Sequence, residues 1–183
     1  MRILTLANQL TLLRIILIPA FVLLVVYGDL GAALIVFLVA GVTDALDGLI
    51  ARLAKQGTSL GAWLDPMADK LLLVSTFIVL TVPSIPLTNH LPLWLTVTVI
   101  SRDIVIIGVV AIVNLAVGSR TFKPSLLGKA ATATFILTSV VVMYFNYREE
   151  MSVLVGLGVW LSLALTLASA ADYFIRLRKL ING

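Results

Sequence analysis

Apolar runs of bilayer-spanning length follow one another along this 183-residue chain, and that repetition restricts its fold more than any other feature. A backbone inside hydrocarbon must satisfy its own N–H and C=O groups, so it crosses as helices or as a closed barrel. Runs of roughly 20 residues suit helices, which need about that many to traverse a core about 30 Å thick. Composition agrees. The chain is 61% hydrophobic and 12% charged, whereas soluble domains carry about 25% charged residues. The mean hydropathy is +1.14. There is no cysteine, which excludes disulfides, thiolate nucleophiles and cysteine metal sites.

Six spans fit: Leu12–Tyr27, Ala32–Leu53, Leu60–Val82, Pro92–Val117, Ser125–Tyr147 and Ser152–Leu177. The expected architecture is therefore an all-α integral membrane fold with six transmembrane helices, forming a single domain over residues 1–183. Gly28-Asp29, the turn-rich stretch from Pro83 to His90, Gly118-Ser119-Arg120 and Arg148-Glu149-Glu150 supply the breaks. The only histidine, His90, falls in the Pro-rich loop and reads as a loop or interfacial residue. The N-terminus has a charged start and an apolar run without a small-residue cleavage site, so it reads as retained.

Basic residues fall on one side. Arg2 and Arg14, Arg52 and Lys55, Arg120 and Lys123, and Arg176, Arg178 and Lys179 alternate with loops offering only Arg148 beside two glutamates. The positive-inside rule then places both termini in the cytoplasm. Ahead of the first span, Asn8, Thr11 and Arg14 recur every third residue and so share a helical face. This segment reads equally as an interfacial anchor or as a polar lip for a charged substrate.

Asp44, Asp47, Asp65 and Asp69 are four of only nine acidic residues, and they fall within 26 positions. A carboxylate in the middle of a membrane costs about 2.5–3.5 kcal/mol and usually marks a site. Four together repel one another unless cations hold them. Asp44 and Asp47 are i,i+3 and Asp65 and Asp69 are i,i+4, so each pair shares a face. A short connection makes the two helices antiparallel neighbours whose acids converge near the cytoplasmic surface. All-oxygen ligation suits Mg²⁺ or Mn²⁺. Gly48 and Ala51 are either helix-packing residues or space for a ligand against the backbone, and beside the four carboxylates the second reading gains. Arg52 meets a phosphate or balances the acids. Two ions so held suit phosphoryl transfer from a diphosphate, with one carboxylate accepting the proton of an attacking hydroxyl.

The pattern Asp-x2-Asp-Gly-x2-Ala-Arg-x8-Gly-x3-Asp-x3-Asp, filled from Asp44 to Asp69, resembles the signature of the CDP-alcohol phosphatidyltransferases. Nine fixed positions in a short window make a specific match. The resemblance implies a six-helix membrane fold, a homodimer and a cytoplasm-facing active site in a bacterial inner membrane, with no nucleic-acid partner. It implies that Asp44, Asp47 and Asp65 bind metal. Asp69 is the implied general base, and it shares the second ion. It assigns CDP contacts to Gly48, Ala51, Arg52 and Gly61, with Asn8 and Thr11 as further candidates. The implied reaction is attack of an alcohol on the lipid-side phosphate of CDP-diacylglycerol, releasing CMP.

The second half bears on the acceptor. Arg102-Asp103 is an ion pair within an apolar run, read evenly as structural neutralisation or as part of an acceptor site. Arg120, Lys123 and Lys129 lie within ten residues and favour an anionic acceptor. Asn8 to Arg14, Leu64 to Lys70 and Pro124 to Lys129 resemble bacterial phosphatidylglycerophosphate synthases, which use glycerol 3-phosphate. Two positions depart from that pattern: Asp103, where glutamate is usual, and Ala131, where a lysine is frequent. Ser101-Arg102-Asp103 and Lys123-Pro124 instead resemble the cardiolipin synthases that use CDP-diacylglycerol and phosphatidylglycerol. Glycerol 3-phosphate is the first reading and phosphatidylglycerol the second. From other classes, a divalent-cation transporter would place its carboxylates at the midplane on broken helices, and a non-catalytic adaptor would use the acids as a docking patch.

Overall fold

The computed structural model describes residues 6–54, 59–117 and 125–182. The side chains of Asn8, Asp47, Gly48, Ala51, Arg52, Gly61 and Asp65 lie outside the described set, as do Arg120 and Lys123 altogether. The described residues form helices α1 (Leu6–Val26), α2 (Leu30–Ala54), α3 (Ser59–Thr81), α4 (Leu93–Val117), α5 (Leu126–Tyr147) and α6 (Val153–Asn182). Among them, Gln9–Val26, Leu126–Tyr147 and Val153–Arg176 are long and apolar enough to cross a membrane, and Leu30–Asp44 is a shorter apolar stretch. The acidic window interrupts the apolar runs of α2 and α3. The chain is an all-α integral membrane protein.

Two helix ends extend beyond the expected spans. The polar N-terminal segment is continuous with the first span, because α1 runs unbroken from Leu6 and carries Thr11 and Arg14 in its early turns. α6 continues to Asn182, with an Asp172–Arg176 pair at 2.9 Å one turn apart along its charged tail.

Beside its apolar core the interior holds many small hydroxylated residues, and large apolar side chains cover the outside. Thr76, Thr96, Thr138, Ser139, Ser162, Thr166 and Ser169 are buried, while Ile16, Ile104, Leu115, Leu137 and Leu157 are exposed. Lipid solvates leucine as well as the interior does, so small and hydroxylated residues gather where helices touch.

The contacts divide into two compact units, Met1–His90 with Met143–Met151, and Leu91–Val142 with Ser152–Gly183. In the first, α1 turns into α2 through Gly28, whose φ of 82° is the left-handed conformation that terminates a helix at low cost to glycine. Asp29 N–H closes the turn on Leu24 C=O at 2.9 Å, and the Asp29 carboxylate caps α2 by accepting from Ala32 N–H at 3.1 Å. The resulting hairpin packs Phe21 against Phe37, the rings tilted by 46° with centroids 5.8 Å apart. About two turns further from Gly28 on each helix, Arg14 comes level with Asp44. α1 also packs on α3, so it serves both acid-bearing helices. In the second unit α4 packs on α6. There α5 meets α6 where Thr138 Oγ1 donates to Gly158 C=O at 3.2 Å and shares a hydrogen bond with Ser162 at 3.1 Å.

Candidate functional site

Helix α2 carries Asp44 and Asp47 one turn apart, and α3 carries Asp65 and Asp69 one turn apart. Asp44 precedes the end of α2 by ten residues, and Asp69 follows the start of α3 by ten. At 1.5 Å per residue both stand about 15 Å along their helices from the connection. They are therefore level with one another, well inside the helices rather than at their tips.

Arg14 joins them. Its Nη1 lies 3.0 Å from Asp44 Oδ1 and 2.5 Å from Asp69 Oδ1. One acid from each helix thus reaches the same nitrogen atom. The Arg14 side chain is 1% exposed, whereas the two carboxylates are each 42% exposed. Arginine suits this place because its guanidinium stays charged even when buried and offers several donors in a fixed fork. A buried charge is tolerated only when paired and hydrogen-bonded. Thr11, one turn before Arg14 on the same face, is also fully buried.

Among the described residues, no group of three or more acidic or histidine side chains is placed to hold a metal. Asp47 and Asp65, the other members of the expected set, lie outside the described side chains. The described half of the set does fit a hard cation. It is all oxygen, and it comes from two helices whose carboxylates keep part of their surface open.

The second unit holds another polar cluster. Arg102 on α4 donates from Nη1 to Asp103 Oδ1 at 2.7 Å, from Nε to Ser169 Oγ at 3.0 Å, and from Nη2 to the same hydroxyl. Its side chain is 10% exposed. Ser125 caps α5, its Oγ accepting from Gly128 N–H at 2.9 Å, and its hydroxyl lies near the Asp172 carboxylate of α6. A β-carbon on Gly128 would lie 3.2 Å from Arg102 Nη2 and 3.2 Å from Ser125 Oγ, so glycine lets the guanidinium lie against the first turn of α5. Lys129, the next residue, is exposed. Of the expected acceptor residues, Arg102 is thus held from two helices and lies beside the turn that carries Lys129. Arg120 and Lys123 fall outside the described residues.

Sequence reasoning placed Arg14 on the polar face of α1 without linking it to the acids. The signal was present in its three-residue spacing from Thr11 and in its position inside an apolar run. Ser169 carried no signal, since serine is ordinary in membrane helices, and Gly128 was visible only as part of the Pro124 to Lys129 stretch.

Residues 4–168 match the sequence profile of the CDP-alcohol phosphatidyltransferase family. The chain is 32% identical over 198 residues to a human protein named cardiolipin synthase (CMP-forming), an alignment covering 97% of this chain and 63% of that protein. It is 35% identical over 194 residues to a probable cardiolipin synthase (CMP-forming) of Drosophila melanogaster, covering 94% and 57%. It is 32% identical over 188 residues to a probable phosphatidylglycerophosphate synthase of Mycobacterium tuberculosis, covering 100% and 86%. The chain therefore spans less than two thirds of the length of these cardiolipin synthases and most of the length of the phosphatidylglycerophosphate synthase. With nearly its whole length inside the profile and the full acidic signature in place, this chain belongs to the CDP-alcohol phosphatidyltransferase family.

Proposed function

We propose that this protein transfers a phosphatidyl group from CDP-diacylglycerol to a phosphate-bearing glycerol acceptor, releasing CMP. The observation that carries the reading is the meeting of Asp44 and Asp69, from separate helices, at one cationic point. Family membership supplies the reaction class.

The chemistry follows from the carboxylates. The acceptor's hydroxyl oxygen forms a bond to the phosphorus that carries diacylglycerol, and the bond from that phosphorus to the oxygen bridging it to CMP breaks. CMP leaves with that oxygen. Asp69 takes the proton of the attacking hydroxyl, as its partial exposure allows. Asp44, Asp47, Asp65 and Asp69 are the residues that would hold Mg²⁺ or Mn²⁺, for which the family generally has a need. Bound there, two such ions would neutralise the diphosphate and stabilise the leaving group. Gly48, Ala51, Arg52 and Gly61, together with Asn8 and Thr11, are the proposed nucleotide contacts. Arg102, Arg120, Lys123 and Lys129 are proposed to receive the acceptor's phosphate, guanidinium forks being suited to bidentate phosphate recognition. The working form is proposed to be a homodimer in a bacterial inner membrane, with active site and termini on the cytoplasmic side.

Glycerol 3-phosphate is the first acceptor. The relative named phosphatidylglycerophosphate synthase is also the one whose length the chain most fully spans, among those compared above. Phosphatidylglycerol is the second, favoured by comparable identity to proteins named cardiolipin synthase. Incubation of the purified protein with labelled CDP-diacylglycerol and, separately, glycerol 3-phosphate, phosphatidylglycerol, inositol phosphate and serine tests both. A labelled phosphatidylglycerophosphate product supports the first reading, and a cardiolipin product replaces it with the second. Product with serine alone overturns the anionic-acceptor assignment.

A further inference from the structure

Two partly exposed carboxylates brought together on neighbouring helices repel unless a cation lies against them, so when no metal ion is bound that cation has to come from the protein. A protein built this way needs something to hold the helices in register during folding and between loading events. Arg14 is placed to do so. Its guanidinium touches both acids, and one nitrogen, Nη1, lies against an oxygen of each. It comes from a third helix that packs on both the others. Its position is also fixed from the opposite end of the hairpin. The Gly28 turn and the Phe21–Phe37 contact set the register that brings Arg14 level with Asp44.

The geometry is also asymmetric. Arg14 is sealed inside, while Asp44 and Asp69 keep a substantial part of their surface open. An inner cation therefore anchors the acids from the protein side, and their outer surface stays accessible to ions from solution. A lysine in this place would be a poorer choice, because burial lowers its pKa readily, whereas a guanidinium stays charged.

We infer that Arg14 is a built-in counter-cation, a positioning residue that holds the α2 and α3 carboxylates together from the buried side so that the metal site is preformed before metal arrives. The inference rests on the proposed metal-binding role of these acids, and it extends that role to a residue outside the acidic signature. It makes Arg14 and divalent ions partners in one electrostatic task. Removing the first makes the fold depend more heavily on the second.

The test is thermal unfolding in detergent of the wild type, Arg14→Gln and Arg14→Lys, each in EDTA and in saturating Mn²⁺, with bound Mn²⁺ followed by electron paramagnetic resonance. In EDTA, Arg14→Gln should melt several degrees below the wild type. Mn²⁺ should raise its midpoint by clearly more than it raises the wild type's, and Arg14→Lys should fall between. Equal Mn²⁺-induced shifts in wild type and Arg14→Gln would overturn the inference. Should Arg14→Gln fail to fold, the triple variant Arg14→Gln/Asp44→Asn/Asp69→Asn decides, because removing both carboxylate charges as well leaves no repulsion for Arg14 to offset. Recovery of a folded protein supports the inference, and failure to recover overturns it. Absence of bound Mn²⁺ from the wild type would refute the metal reading instead. The coupling between Arg14 and the two acids, read in EDTA alone, would still decide the role of Arg14.

Discussion

Asn146 closes a two-bond ring with the backbone of Asn89. Its Oδ1 accepts from Asn89 N–H at 2.7 Å, and its Nδ2 donates to Asn89 C=O at 2.9 Å. Asn146 is 1% exposed, and Asn89 in turn donates from its own side chain to Glu150 C=O at 2.7 Å. The turn-rich loop after α3 is thereby tied to the end of α5. Asn146→Leu fills the space but leaves both backbone groups without this partner, at about 1–3 kcal/mol for each such group that stays buried. A lowered unfolding midpoint and faster proteolysis between Pro83 and His90 are the expected readouts.

Gly158 faces Thr138 so closely that an added β-carbon would lie 2.9 Å from Thr138 Oγ1. Gly158→Ala should therefore force α5 and α6 apart and cost about 1–3 kcal/mol, as overpacking does. Thr138→Ala removes the obstructing hydroxyl and methyl. In the double variant the two effects should be less than additive, measured as midpoint shifts in a double-mutant cycle.

The two helix-ending turns respond oppositely to exchange. Gly28 sits at φ 82° and Glu149 at φ 55°. A side chain in the left-handed region costs roughly 1–2 kcal/mol, so Gly28→Ala destabilises by about that amount. Glu149→Gly relieves the same strain, offset by a more flexible unfolded chain, for a net gain of up to about 1 kcal/mol. Unfolding midpoints in one detergent compare the pair directly.

Ser169 accepts two donors of Arg102 through one hydroxyl. If Arg102 receives the acceptor's phosphate, Ser169→Ala loosens the guanidinium without touching the diphosphate site. The acceptor KM should rise by up to about tenfold, the equivalent of about 1.4 kcal/mol, while the KM for CDP-diacylglycerol stays the same. Ser169→Thr, which keeps the hydroxyl, should recover most of the loss. An equal rise in both KM values would assign Ser169 a structural role only.

The helices were legible in the sequence because a membrane helix announces itself through uninterrupted apolar length. The Gly28-Asp29 break is a further local signal, since the left-handed turn and the cap are each made by a single residue. The start of α1 was legible only as a shared polar face, and the structure adds that Thr11 and Arg14 of that face are buried. Arg14 shows where linear reading stops. Its counter-charges lie 30 and 55 residues away, and only the hairpin register of α1 on α2, with α3 packed alongside, brings them to one atom. That the acids of α2 and α3 share a face within each helix was legible from their i,i+3 and i,i+4 spacings, whereas the meeting of Asp44 and Asp69 at one nitrogen was not. Nor was Ser169, because its hydroxyl gains meaning only from the arginine on another helix.

The most direct test of the central claim is CMP release by the purified protein from CDP-diacylglycerol plus glycerol 3-phosphate in Mg²⁺ or Mn²⁺, compared with Asp69→Asn. The wild type should release CMP in step with phosphatidyl product. Asp69→Asn, folded and with an unchanged oligomeric state, should lose about 10²–10⁴-fold in rate, the usual worth of a general base. Undiminished CMP release by Asp69→Asn, or none by the wild type with any phosphate-bearing glycerol acceptor, would contradict it.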